Sequence, residues 1–241
     1  MKVMRLHSWQ VSTAQALDIQ RKLATQVSRS GEVSNARLIA GVDISVNRVI
    51  GMTTGAVIVL KYPEFNLVET SVVTGELGFP YVPGLLSFRE SPLLLTACER
   101  LTVTPDLIMV DGQGIAHPHH IGLASHLGLF LNTPAIGCAK SRLCGSHEEV
   151  GTEVGSYTEL VDNGEVISEV VRTKLRVKPL YVSTGHGIDL LSAIRWVLAW
   201  LSKAIAYRDP TRLAHLAAGG NLKLENDITV SCNDRLLPRG V

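Results

Sequence analysis

Apolar residues recur at helical spacing over residues 13–28, where Ala16, Ile19, Leu23 and Val27 are separated by Arg and Lys. The spacing predicts an amphipathic helix, and the Ser/Gly-rich stretch 30–35 a loop after it. LIAGVDISV (38–46) reads as a buried strand, 55–62 as a second that Pro63 stops, and the alternation of 66–73 as a third. Three neighbouring strands with tight connections predict an antiparallel meander. GELGFPYVPG (75–84) holds two prolines and three glycines and cannot stay regular for long. A helix with an irregular start follows over 85–101, because Pro92 fits only a first turn or a kink. Beyond it the pattern predicts a short strand at 107–111 and a helix at 121–131. A strand at 135–139, a longer strand or hairpin arm at 166–177 and a short strand at 180–183 come next. Helices at 190–204, carrying Trp196 and Trp200, and at 211–218 behind Pro210 complete the series. The tail 220–241 is polar and is expected to be loosely held. With no repeat or linker, 1–241 reads as one α/β domain.

Composition narrows this only slightly. The 241 residues suffice for one sizeable core. With 23 Lys and Arg against 22 Asp and Glu, the formal charge is +1, so a nucleic acid could be held only through local basic patches. Cys98, Cys138, Cys144 and Cys232 lack paired metal spacing and lie mostly in apolar segments. A reducing cytoplasmic compartment suits them better than a disulfide framework or a zinc knuckle. Trp9 to Ser12 is polar, against a secretory signal, and no stretch reaches bilayer length without a charge or turn. The expectation is a soluble protein with no membrane partner.

Three carboxylates carry the candidate chemistry. Asp43 lies inside an apolar strand, on the face shared with Gly41 and Ser45, where a charge is costly unless a cation compensates it. Asp111 closes LIMVD just before GQG, at the carboxyl end of a strand where α/β sites form. Gly112 and Gly114 would let a substrate approach the backbone there. Glu90 lies near a helix start, after Arg89. If the three converge, they make the all-oxygen site that magnesium prefers. Taken singly, each has a plainer account: a strand-end Asp often caps a turn, and Glu90 could pair with an Arg.

The words PYVPGLLSFRE, PDLIMVDGQGIAHP, IGLASHLGLF and IGCAKSRLCG, with GVDIS upstream and YVSTGH and DPTRLAH downstream, resemble the endonuclease V family over roughly residues 41–215. The resemblance implies an RNase H-like fold, a mixed five-stranded sheet with helices on both faces. It implies Asp43, Glu90 and Asp111 as ligands of Mg²⁺, which Mn²⁺ could replace. The implied reaction is hydrolysis of DNA at the second phosphodiester bond 3′ to deoxyinosine, leaving a 3′-hydroxyl and a 5′-phosphate. Lys140 would neutralise or orient the substrate phosphate, and His186 would stand near the carboxylates. Pro80, Tyr81, Val82 and Pro83 would form a wedge beside the damaged base, as a stiffened loop with a stacking ring can. Gly84, Leu85, Gly112 and Gly122 would line a largely backbone pocket for the displaced base. His117 would contact phosphate or support the ligands. Arg142 would hold backbone, Asp189 would cap a helix, and His126 would be a packed core histidine.

Independently of the family, Arg172, Lys174, Arg176 and Lys178 recur at every second position. On a strand they would share one face about 6–7 Å apart, a spacing that suits successive phosphates. The alternative is a solvated face or a guarded edge. Beside a nuclease site the phosphate track gains. The chain departs from the family's common DGHG and HPR words at Gln113 and His119, which bears on phosphate contact and not on the carboxylates. The monomeric deaminated-adenine repair nuclease has rivals. They are an endoribonuclease acting on inosine in RNA, the incision half of an excision-repair subunit, and a lesion-binding protein without catalysis.

Overall fold

The computed structural model describes residues 1–47, 51–200 and 209–222. The chain runs α1 (Thr13–Ala24), β1 (Leu38–Asn47), β2 (Met52–Lys61), β3 (Asn66–Gly75), α2 (Leu86–Glu99), β4 (Leu107–Val110) and α3 (Leu123–Leu131). It continues with β5 (Ala135–Ala139), β6 (Tyr157–Asp162), β7 (Glu165–Val171), β8 (Leu180–His186), α4 (Leu190–Ala199) and α5 (Pro210–Ala218). The strands form one mixed sheet in the order β3-β2-β1-β4-β5-β8-β7-β6. β1, β2 and β3 make the expected meander, and β1, β4 and β5 run parallel. Among the described residues the sheet has eight strands rather than five, because β8 pairs antiparallel with β5 and brings the β7–β6 hairpin with it.

Residue parity distributes the core. Ala40, Val42, Ile108 and Val110 face α2 and α3, packing on Leu94, Leu127 and Phe130. Ile39, Leu107, Met109, Ile136 and Cys138 face the opposite layer, with Trp196, Val197, Ala214 and Ala217 of α4 and α5. Strands buried on both faces read as continuous apolar runs, as LIMV and AIGCA do. Helix starts follow local capping chemistry. Ser12 and Gln15 form a reciprocal box on α1, Asp189 caps α4 as its sequence predicts, and Asp209 caps α5 ahead of Pro210. Pro92 lies inside α2, past its first turn.

Two expectations change here. β6 has no counterpart in the apolar pattern, since it is an edge strand whose one fully buried side chain is Leu160. The strand read over 166–177 stops at Val171. Val171 pairs with Leu180, so the intervening residues must close the hairpin and cannot extend it. Arg176 there has φ 59°, outside any strand conformation. Residues 201–204 of the expected α4 and most of the tail, 223–241, lie outside the described residues. Within the described residues, no helix is long and apolar enough to cross a membrane.

Candidate active site

The parallel strands end together, and their shared parity brings chemistry to one place. Ile39 and Leu107 are register partners, as are Gly41 and Met109. Two residues further, Asp43 and Asp111 emerge side by side on the α5 face. On β5, Ile136 and Cys138 take the same parity, so Lys140 follows onto this face, and its ammonium contacts Asp111 Oδ2. Gly41 lets α5 reach the sheet, since a β-carbon there would overlap the carbonyl of Pro210. With the helix seated so closely, His215 points its Nδ1 at Asp43 Oδ2, 2.7 Å away. Among the described residues, Asp43, Asp111 and His215 offer one ligand atom each within 4.8 Å of one another.

Glu90 approaches from α2 on the opposite layer, 9% exposed. Burial, then the charge of Asp43, pushes its carboxyl up to about 7, against the pull of Arg89. Asp43 is raised too, first by burial and then by Asp111, although the Ile44 N–H and His215 oppose this. Burial would lower Lys140, but its hydrogen bond and proximity to Asp111 leave it raised and therefore charged. Desolvated carboxylates that disfavour one another's ionisation, with an imidazole among them, fit a divalent cation.

The wedge residues stand clear of the fold. Pro80 and Pro83 are exposed, Val82 is half-buried and Tyr81 is 71% exposed. Their base is fixed: Phe79 is buried beside Phe88, and Arg89 Nη1 donates to its carbonyl at 3.0 Å. Gly84 follows with φ +81°, a conformation that favours glycine. Leu85 is buried at the start of α2. The Gly112–Gly114 turn lies against the start of α3, where Gly122 N donates to Gly114 O at 2.8 Å. A β-carbon on Gly122 would overlap the Gln113 carbonyl. Gln113, one of the two departures, ties this turn to the loop after Lys140 by donating to Ser141 O at 2.8 Å.

Four assignments are corrected by position. His186 ends β8, which runs antiparallel to β5, so it sits opposite Ala135 at the far end of β5 from Lys140. It lies on the α3 side, its Cβ close to Gly128, and its Nδ1 accepts from Ser28 N at 3.2 Å. The histidine beside the carboxylates is His215, in the word DPTRLAH; the signal that marks it is the helix seated on Gly41. His117 is no phosphate ligand, being 4% exposed with both ring nitrogens engaged. Its Nε2–H donates to Gly84 O at 3.0 Å and its Nδ1 accepts from His119 N at 3.1 Å. Burial lowers its pKa to about 4, so the ring is neutral near pH 7. Arg172 donates to the carbonyls of Gly151, Val177 and Val150 and thus braces its own loop. Arg176 sits at the exposed hairpin turn. Lys174 and Lys178 border a cavity of about 610 Å³ shared with Lys140, Arg212 and His215, so these two cations do reach the site's margin. His126 is the packed core residue expected, bonded to His7 and Ser87.

The sequence model of the Endonuclease V family matches residues 21–216. Endonuclease V of Dehalococcoides mccartyi is 49% identical over 217 residues, 90% of this chain and 97% of that protein. Endonuclease V of Gloeobacter violaceus is 45% identical over 213 residues, covering 87% and 86%. Among solved structures, Endonuclease V of Bacillus subtilis superposes with a TM-score of 0.86 at 32% identity, over 91% of this chain and 96% of that one. The Ciona intestinalis Endonuclease V, solved with a DNA containing an inosine followed by a ribo-adenosine, gives 0.73 at 26% identity over 87% and 98%. The metal-competent cluster of Asp43, Asp111 and His215 lies within the residues that the family model matches. By fold, site and sequence, the chain belongs to the Endonuclease V family.

Proposed function

We propose that the protein is a Mg²⁺-dependent DNA-repair endonuclease that cuts the second phosphodiester bond 3′ to deoxyinosine. The observation that carries this reading is the convergence of Asp43, Asp111 and His215, with Glu90 and Lys140 beside them, in a chain of this family. Asp43, Asp111, Glu90 and His215 would hold the cation. Held there, a divalent cation would supply Lewis-acid polarisation of the scissile phosphate and a lowered pKa for a water at neutral pH, and Mn²⁺ would be able to replace Mg²⁺.

The protein's own groups do the rest. Lys140 Nζ, kept charged by Asp111, is placed to neutralise a phosphate oxygen as negative charge grows on it. Lys174 and Lys178 would hold the neighbouring backbone by point charge. Tyr81 is presented by a stiff, anchored loop and would fill the gap that a displaced base leaves. Gly84, Leu85, Gly112 and Gly122 would seat the base against backbone, where hypoxanthine offers a carbonyl and adenine an amine. Buried free thiols at Cys98 and Cys138 accord with a reducing, cytoplasmic setting.

The test is incubation of purified protein with end-labelled DNA and RNA of one sequence, each with and without a single inosine, in Mg²⁺ or EDTA. A Mg²⁺-dependent nick one nucleotide beyond inosine, faster in DNA, is the expected outcome. Faster cutting of RNA would move the substrate to transcripts, and no cutting of either would refute catalysis.

A further inference from the structure

Gln20 is a buried polar side chain that leaves part of its hydrogen-bonding capacity unused. It projects from α1 and is 1% exposed. Its Nε2 donates to the Gly84 carbonyl at 2.8 Å and to the Ile121 carbonyl at 3.4 Å. Both neighbours are acceptors, so the amide has one workable orientation; turned over, its oxygen would face two oxygens. Oε1 is then buried without a partner, which native interiors seldom tolerate without a reason.

Gln20 and His117 act on the same atom. The Gly84 carbonyl accepts from both Gln20 Nε2 and His117 Nε2, so its two lone pairs are engaged within the protein. The next N–H, that of Leu85, donates to Val82 O at 3.0 Å. Among the described residues, the N–H of Gly84 has no protein acceptor. The Gly84–Leu85 peptide is thus held at both its carbonyl and its N–H, which fixes Gly84 and leaves the N–H of the preceding peptide, that of Gly84, to present between the exposed wedge and the start of α2. The second bond of Gln20 reaches the residue before Gly122, tying the wedge loop to the start of α3.

We propose that Gln20 is a positioning residue for base recognition, holding the Gly84 carbonyl and so fixing the residue whose own N–H meets the carbonyl oxygen of a displaced hypoxanthine. This rests on the deoxyinosine reading above. A fixed N–H satisfies that carbonyl and opposes the amine that adenine carries in its place. Gln20 touches neither the carboxylates nor Lys140, so its influence falls on seating the base and not on the hydrolytic step.

The variant Gln20→Met keeps the length and apolar stem and removes the amide. It is expected to raise KM for deoxyinosine DNA about 10-fold, the worth of a buried hydrogen bond or two, with kcat within about two-fold. Its affinity for unmodified DNA of the same sequence stays at the wild-type value. Gln20→Leu, which likewise removes the amide, behaves alike. An unchanged KM overturns the proposal. So does an equal loss of affinity for unmodified DNA, which would mark a merely structural role. Should neither variant fold, the Gln20 side-chain amide resonances of the wild-type protein are followed by NMR. A shift with inosine oligonucleotide and none with the unmodified one supports the proposal, and no shift overturns it. A wild-type protein that does not cut inosine DNA would refute the proposed function instead.

Discussion

Glu90→Gln should stabilise the metal-free protein while abolishing its cutting. Glu90 is 9% exposed, and burial together with Asp43 lifts its carboxyl from the ordinary 4.5 to about 7. At 1.36 kcal/mol per pH decade, holding this group ionised costs the folded state about 3 kcal/mol above pH 7. The sign follows from proton binding. Between 4.5 and 7 the folded protein holds a proton that the unfolded chain has lost, so this group's contribution to stability falls as pH rises through that window. The neutral amide has the same shape and carries no such cost. In EDTA near pH 8 the variant should gain about 3 kcal/mol, or roughly 6–12 °C in Tm for a chain of this size. Near pH 5 the gain should shrink to about 1 kcal/mol, because wild-type Glu90 is then protonated when folded. Added Mg²⁺ should raise the Tm of the wild type through preferential binding to the folded state, and raise that of the variant much less. Thermal unfolding by circular dichroism at both pH values, with and without Mg²⁺, reads all four quantities. Equal melting of the two proteins near pH 8, or a gain that persists undiminished near pH 5, would refute the electrostatic account of Glu90.

Gly41→Ala should push α5 off β1 at Pro210 and carry His215 away from Asp43. Overpacking of this kind costs about 1–3 kcal/mol, so the expected result is a lower Tm with weaker Mg²⁺ dependence of cutting; native melting and activity would show that α5 is free to shift. Tyr81→Ala removes a ring that is 71% exposed, so stability should move by less than about 0.5 kcal/mol. Its preference for inosine over unmodified DNA should fall, measured as a ratio of kcat/KM values. Lys140→Met should leave Tm nearly unchanged, since its ion pair with Asp111 is largely exposed on the lysine side. Single-turnover cutting should drop roughly 10²-fold or more, as for other lost charge-stabilising donors.

Local chemistry alone determined much of this protein. Apolar runs set β1, β4 and β5 almost to the residue, and Asp189 could be read as a cap from its place before a helix. Asp43 and Asp111 were conspicuous because a charge in an apolar strand is costly unless something compensates it. The β6–β7 hairpin was also written locally, in Asn163-Gly164, which takes φ 49° and 81° at the turn. The apolar pattern missed it because an edge strand buries too little to show one.

Direction and register were decided by the tertiary structure. Whether His186 or His215 meets the carboxylates depends on β8 running against β5 and on a helix seated over Gly41. Those facts relate residues far apart in the chain. The alternating cations of 172–178 fit a strand by period, but the pairing of Val171 with Leu180 closes a hairpin there. His117 and Gln20 are polar letters in sequence, and only burial and their shared acceptor at Gly84 turn them into a clamp. Periodicity reports which face of an element is apolar; it carries no information on which elements meet or end to end in which sense. The sequence therefore named the chemistry the site could hold, and packing chose the side chains that reach it.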